Sequence, residues 1–278
     1  VMRFWLDKGV DGFRIDVINM ISKPWNADGS LPDAPVVRDG FLQPGFAMSC
    51  NGPRLTAFLR EIRREVLDHS RRMAAHLQGL GLQPGDRIAI LSKNTAHWLM
   101  SDFAIWLAGC VSVPLFPTLA PGTIRQILEH SESRLLFVGK LDGWDHMKSG
   151  VRVGLPCISH PLAPQDAQAS YPRWDDIVAR TAPLMGEPVR PGDELATIIY
   201  TSGTTGAPKG VMHSFAAFAW AVQTALKRVP LDGSTRMLSY LPLSHVVERA
   251  LVEHGQLASG MHVYFADRLP WFDTRDRL

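Results

Sequence analysis

Residues Tyr200-Thr-Ser-Gly-Thr-Thr-Gly-Ala-Pro-Lys-Gly210 place four Ser/Thr hydroxyls, three glycines and one lysine within eleven positions. These residue types suit a polyanion. Hydroxyls and free backbone N–H groups donate to phosphate oxygens, glycine lets the backbone approach closely, and an ammonium adds positive charge. The run is not a Walker A loop, because the G-x-x-x-x-G-K-[ST] spacing is absent. Leu195-Ala-Thr-Ile-Ile-Tyr200 before it is apolar and β-prone, and His213 to Lys227 after it reads as a helix. The expected unit is therefore a strand, a glycine-rich loop and a helix, with the loop fitted to a nucleoside triphosphate.

This run closely resembles the phosphate-binding loop of the adenylate-forming superfamily, which includes acyl-CoA synthetases, firefly luciferase and the adenylation domains of peptide synthetases. Two further segments agree. Trp106-Leu-Ala-Gly-Cys-Val-Ser-Val-Pro-Leu-Phe-Pro-Thr118 resembles the family's helix, glycine, strand and proline signature. Leu241-Pro-Leu-Ser-His-Val-Val-Glu-Arg249 resembles its next motif in the form carried by long-chain fatty acyl-CoA synthetases. Together these cover residues 69–269 in the family's order.

The resemblance implies ATP-dependent activation of a fatty acid, followed by thioester formation with coenzyme A. Thr201, Ser202, Gly203, Thr204, Thr205, Gly206 and Lys209 would hold the β- and γ-phosphates, and Thr204 would help bind Mg²⁺. Lys209 is a candidate catalytic residue. His245 is another, expected to line the acyl pocket beside the reacting carboxylate. Glu248 and Arg249 match the long-chain branch without an assigned role. The family's later motifs, which contact adenine and ribose and supply a Mg²⁺-binding glutamate, are not found before Leu278, nor is the lid with its lysine. Residues 270–278 also depart from the family pattern. The expectation is an N-terminal part of the domain that does not complete adenylation by itself.

The first residues resemble a different family. Asp11-Gly-Phe-Arg-Ile-Asp-Val-Ile-Asn19 resembles the nucleophile-bearing strand of α-amylase-type glycoside hydrolases. Met2–Val10 and Asn51–Glu61 resemble the flanks found in the α-glucosidase and oligo-1,6-glucosidase branch. By this resemblance Asp16 is the nucleophile and Arg14 keeps it ionised and oriented. Retaining hydrolysis needs a second carboxyl about 5–5.5 Å away, and the sequence changes family before one is reached. The reading is a fusion of two unrelated gene fragments, with the change-over at Asp68–Ser70 and Val1 fitting a truncated frame. Residues 1–68 are then a fragment of a (β/α)8 barrel and residues 69–278 the adenylate-forming part. The alternatives are a working α-glucosidase and a non-functional chimera.

Composition narrows the classes. At 278 residues, with 46% hydrophobic and 20% charged residues, the chain is ordinary for one or two globular domains. A net charge of +2 gives no reason for a nucleic-acid partner. The arginines Arg54, Arg60, Arg63, Arg64, Arg71 and Arg72 alternate with Glu61, Glu65 and Asp68, as on a solvated helix face. Cys50, Cys110 and Cys157 form neither a redox nor a metal pattern, which fits a reducing, cytoplasmic setting. Phe103 to Pro117 is too short to cross a bilayer. The resemblance allows peripheral membrane association and no transmembrane segment.

The positioning elements follow from hydrophobic period and turn residues. Residues 24–50, rich in proline, glycine and aspartate, read as a loop. Residues 53–80 read as one helix whose apolar period runs on across the change-over. Strands are expected at Arg87–Leu91, Val111–Phe116 and Leu135–Val138, with helices at Ala96–Gly109 and Pro121–Ser133 between them. A strand near Cys157 and a helix at Trp174–Arg180 follow. This alternation predicts an α/β fold with a parallel sheet flanked by helices.

Overall fold

A mostly parallel sheet organises the chain from Arg87 onward. The structure, a computed structural model, describes residues 55–186, 188–202, 208–229, 231–233 and 235–265. The chain divides into Val1–Leu67 and Asp68–Leu278, and the sheet lies in the second unit. Helix α1 (Leu55–Gly79) precedes β1 (Arg87–Leu91). Then come α2 (Ala96–Leu107), β2 (Val111–Leu115), α3 (Pro121–His130), β3 (Leu135–Val138), α4 (Trp144–Met147), β4 (Cys157–Ser159), α5 (Gln165–Ser170) and α6 (Trp174–Arg180). The second stretch holds β5 (Leu195–Ser202), β6 (Pro208–Ser214), α7 (Phe215–Arg228), β7 (Arg236–Ser239) and α8 (Val246–Glu248). A π-helical stretch (Arg249–His254), α9 (Gly255–Ser259) and β8 (His262–Phe265) complete it.

The main sheet runs β4-β3-β1-β2-β5-β6, parallel throughout except for β6. β7 and β8 form a separate parallel pair. Every residue of β2 and β3 is buried, as expected where helices cover both faces of a parallel sheet. One face packs Ala89, Leu91, Val113, Leu115, Leu136 and Val138 against Ile124, Ile127 and Leu128 of α3. On the other, Phe137 meets His160 and Trp174 at ring separations of 5.7 and 5.8 Å. Cys110 and Cys157 are buried and unbonded to each other.

The expected strands and helices in the first half recur with nearly the same limits. The second half departs from expectation at one informative place. The helix expected from His213 does not start there. Residues 208–214 form β6, which returns antiparallel along β5 from Ser202↔Pro208 to Thr197↔His213 and Leu195↔Ser214. The helix begins only at Phe215, where Ser214 Oγ accepts from Ala217 N at 3.3 Å. Ladder bonds with β5 take up the backbone that a helix would have used. The described residues on either side of the glycine-rich loop are therefore antiparallel strands, and the helix is set off from them by β6.

β2 meets β5 through a thin ladder. Val111 N donates to Asp86 O at 2.8 Å on the β1 side, so alternation turns residues 112 and 114 towards β5. Residue 114 is a proline without an N–H, and the recorded register is Ser112↔Thr197 alone. Side chains supplement it. Thr197 Oγ1 donates to Ser112 O at 2.8 Å, and Trp106 Nε1 donates to Ala196 O at 2.9 Å.

Candidate functional site

The base of the glycine-rich hairpin presents a hydroxyl and an ammonium together. Thr201 pairs directly with Lys209 across β5 and β6. Directly opposed residues share a face, and both side chains are exposed. Gly210 makes this approach possible, because a Cβ there would lie 2.8 Å from Ile198 Cγ2 and 3.1 Å from Tyr200 Cζ. Behind it, Tyr200 Oη is fixed by His130 Nδ1 at 2.7 Å. Gly203, Thr204, Thr205 and Gly206 lie outside the described residues, as do Asp16 and Arg14.

The hairpin base fits a polyanion on its own chemistry: an exposed cation, an exposed hydroxyl and a glycine kept bare by its neighbours. For a metal the described residues supply no cluster of three His, Cys, Asp or Glu side chains.

His245 stands apart from the hairpin in sequence and caps α8. Its Nδ1 accepts from Val247 N at 3.2 Å, and the residue is exposed. The segment leading to it is held by Asn94, which follows β1. Asn94 Nδ2 donates to Ser239 Oγ at 2.9 Å and to Leu241 O at 2.7 Å, while Leu243 N donates to Asn94 Oδ1 at 2.8 Å. Ser239 Oγ in turn donates to Glu248 Oε1 at 2.7 Å. Burial raises the Glu248 carboxyl against these donors.

Arg249, noted in the sequence without a role, is entirely buried. Its Nη2 pairs with Asp102 Oδ2, and its Nε donates to Glu253 Oε2 at 3.1 Å. Nη1 donates to Thr197 Oγ1 at 2.6 Å, and Ser112 Oγ lies 3.4 Å from both Nη atoms. The guanidinium also faces the rings of Trp98, Trp106 and Phe218 at 5.4, 5.5 and 5.7 Å. Burial pushes Asp102 up to about 8 despite Arg249, with Glu253 adding to the rise. Burial likewise raises Glu253. Asp102 Oδ1 and Glu253 Oε1 are buried without another partner, and one proton held between the two carboxyls satisfies both and leaves the cluster neutral.

Asn94, Asp102 and Glu253 are absent from the residues picked out by sequence. Asp102 carried a signal: it is the single acid inside the apolar run Trp98-Leu-Met-Ser-Asp-Phe-Ala-Ile-Trp-Leu107. A charge there needs a buried partner. Asn94 carried none, since its role depends on a segment about 150 positions away.

Two family models match the chain in succession. The one described as AMP-binding enzyme covers residues 53–278, and the one described as alpha amylase, catalytic domain, covers residues 1–79. Both include α1. Among curated relatives, long-chain-fatty-acid–CoA ligase FadD15 of Mycobacterium bovis is 32% identical over 199 residues, 67% of this chain and 32% of its own length. Long chain acyl-CoA synthetase 5 of Arabidopsis thaliana is 29% identical over 206 residues, 68% of this chain and 31% of its own length. The chain thus spans about a third of the length of these relatives. Among solved structures, O-succinylbenzoate coenzyme A synthetase of Bacillus subtilis, in complex with AMP, matches with TM-score 0.59 and 25% identity over 74% of this chain and 49% of that one. The inhibitor-bound N-terminal domain of FACL13 from Mycobacterium tuberculosis matches with TM-score 0.63 and 24% identity over 74% of this chain and 50% of that one.

Proposed function

The chain belongs to the AMP-binding enzyme family, and from that premise we propose that it serves ATP-dependent activation of a fatty acid, with coenzyme A as the acceptor. Its sheet is that of the N-terminal domain of adenylate-forming enzymes. The observation that carries the reading is the Thr201–Lys209 pair at the hairpin base. Bound ATP supplies the α-phosphorus that the carboxylate attacks as pyrophosphate leaves. Lys209 and the Thr201 hydroxyl hold the departing phosphates, with Ser202, Gly203, Thr204, Thr205 and Gly206 completing the loop. His245 borders the acyl side. Thr204 would touch Mg²⁺.

Lys209→Ala tests the reading. Hydrogen bonds to charged groups contribute roughly 1.5–3 kcal/mol, so ATP and inorganic tripolyphosphate should bind about tenfold or more weakly to the variant by calorimetry. Wild-type affinity should fall steeply with salt, since the Debye length shortens to about 8 Å at physiological ionic strength. Equal affinity of wild type and variant would overturn the phosphate site. For this 278-residue stretch we propose phosphate binding without adenylation. Palmitate-dependent pyrophosphate exchange that vanishes in Lys209→Ala would refute that.

The match of residues 1–79 to alpha amylase favours a second reading for that stretch alone. We propose that it does not hydrolyse glycosides, because the sequence changes family before reaching the second carboxyl that retaining hydrolysis needs. Maltose hydrolysis abolished by Asp16→Asn would show otherwise. The two matches overlap across α1, and we place the change of family at Asp68–Ser70. An uninterrupted genomic read across those codons from an independent isolate would remove an artefactual junction. Among the described residues no helix is long and apolar enough to cross a membrane. We place the protein in the cytoplasm, with peripheral membrane association open to vesicle co-sedimentation.

A further inference from the structure

We propose that the buried Arg249–Asp102–Glu253 cluster is a positioning link that couples the phosphate hairpin to the 241–249 motif, so that occupancy of the hairpin is felt at that motif. The proposal rests on the functional reading above. Its first support is where the cluster attaches. Thr197, Ile199 and Thr201 occupy alternate positions of β5 and share one face of the sheet. Thr197 is bonded to Arg249 Nη1, and Thr201 stands opposite Lys209. The two points are four residues apart on one strand, about 13 Å at the usual strand rise.

The second support is the weak join that the cluster spans. β2 and β5 register only at Ser112↔Thr197. Arg249 reaches both of those residues, its carboxylate partner Asp102 belongs to α2, and the guanidinium faces the α2 rings of Trp98 and Trp106. β5 therefore takes its position next to β2 partly from a side chain belonging to the downstream motif. The third support is the other end of the link. Arg249 N donates to His245 O at 3.1 Å, so the residue that grips β5 also closes the turn bearing His245. Arg249 begins a π-helical stretch, a backbone form frequent at functional sites. His254 closes the same stretch onto Arg249 O at 3.0 Å and stacks on Phe218 of α7, with ring centres 4.2 Å apart. Arg249 is here a positioning residue. Nothing in the arrangement asks it to touch substrate.

The test follows amide shifts in the 278-residue chain on titration with ATP and, separately, inorganic tripolyphosphate. In wild type, shifts are expected at Thr201 and Lys209 and also at Leu243–Arg249. Thr197→Val removes the hydroxyl that Arg249 grips and that donates to Ser112 O. It should keep the Thr201 and Lys209 shifts at a lowered melting temperature, while the Leu243–Arg249 shifts fall by about half or more, within the range by which coupling positions act. Thr197→Ser, which retains the hydroxyl, should restore them. Should Thr197→Val not fold, the charge-balanced variant Arg249→Met/Asp102→Asn/Glu253→Gln makes the same comparison. Undiminished Leu243–Arg249 shifts in either variant would overturn the link. So would their absence in wild type when Thr201 and Lys209 do shift. Silence at Thr201 and Lys209 in wild type would instead overturn the functional reading, and the link with it.

Discussion

Lys209 occupies a position that Gly210 makes available. The return strand lies so close to Ile198 and Tyr200 that an added methyl would meet Ile198 Cγ2 at 2.8 Å. Tyr200 cannot yield easily, since its ring belongs to the core and its hydroxyl is tied to His130. Gly210→Ala should therefore destabilise the protein by about 1–3 kcal/mol, the usual cost of overpacking. It should also weaken tripolyphosphate binding by moving Lys209. Urea unfolding and calorimetry on the one variant check both. An unchanged urea midpoint would mean that the hairpin is looser than its contacts indicate. Sequence alone marks Gly210 as one of several loop glycines. The contact with Tyr200 shows that its role is close packing, since its backbone lies outside the positive-φ set.

At the level of elements, the segment from Ser239 to Leu243 depends on one side chain. Among the described residues its strand pairing ends at Ser239, and Asn94 satisfies backbone groups at Leu241 and Leu243. Asn94→Ala leaves those groups to water or to nothing. The loss should be about 1–3 kcal/mol, concentrated locally. Hydrogen exchange should quicken at the Leu243 amide while the β1 and β3 amides keep their protection. Unaltered protection at Leu243 would show that something else anchors the segment. The β5–β6 hairpin teaches a related lesson. Residues 208–214 have a mixed polar pattern, Pro-Lys-Gly-Val-Met-His-Ser, that favours no local state. β5 decides it, because its free edge accepts a returning strand.

For the whole molecule, buried titratable groups make stability depend on pH from both sides. Asp102 titrates near 8 in the folded chain against 3.8 unfolded, through burial first, with Arg249 opposing and Glu253 assisting. The native state then holds more protons between about pH 4 and 8, so stability falls as pH rises through that window. Among the described residues Arg249, Glu253 and His254 interact electrostatically with it, and burial followed by Arg249 lowers His254 and the nearby His213. Unfolding free energies at about pH 5 and about pH 8.5 should show wild type losing ground to Asp102→Asn as pH rises. A difference that is flat with pH would mean that Asp102 is ionised in the folded state. On the acid side, burial lowers His97 and His254 to about 4, well below 6.5. Their unfolded forms bind protons first, so stability should also fade as pH drops from about 6.5 towards 4.

What the sequence determined by itself is local. Arg87–Leu91, Leu135–Val138 and Trp174–Arg180 have the limits expected of them, because period and turn residues act within a few positions. The proposed anion site at residues 201–209 is a reading of the same local kind: its hydroxyls, glycines and lysine are neighbours in the chain. Tertiary structure alone decided how those pieces are held. It laid residues 208–214 back along β5, tied residues 239–243 to Asn94, and gathered Arg249 with Asp102, Thr197 and Glu253. Thr197 and Asp102 lie 52 and 147 positions from Arg249. No periodicity reaches over such separations. Burial supplies the reason that these groups must meet, since a charge removed from water is stable only beside a partner.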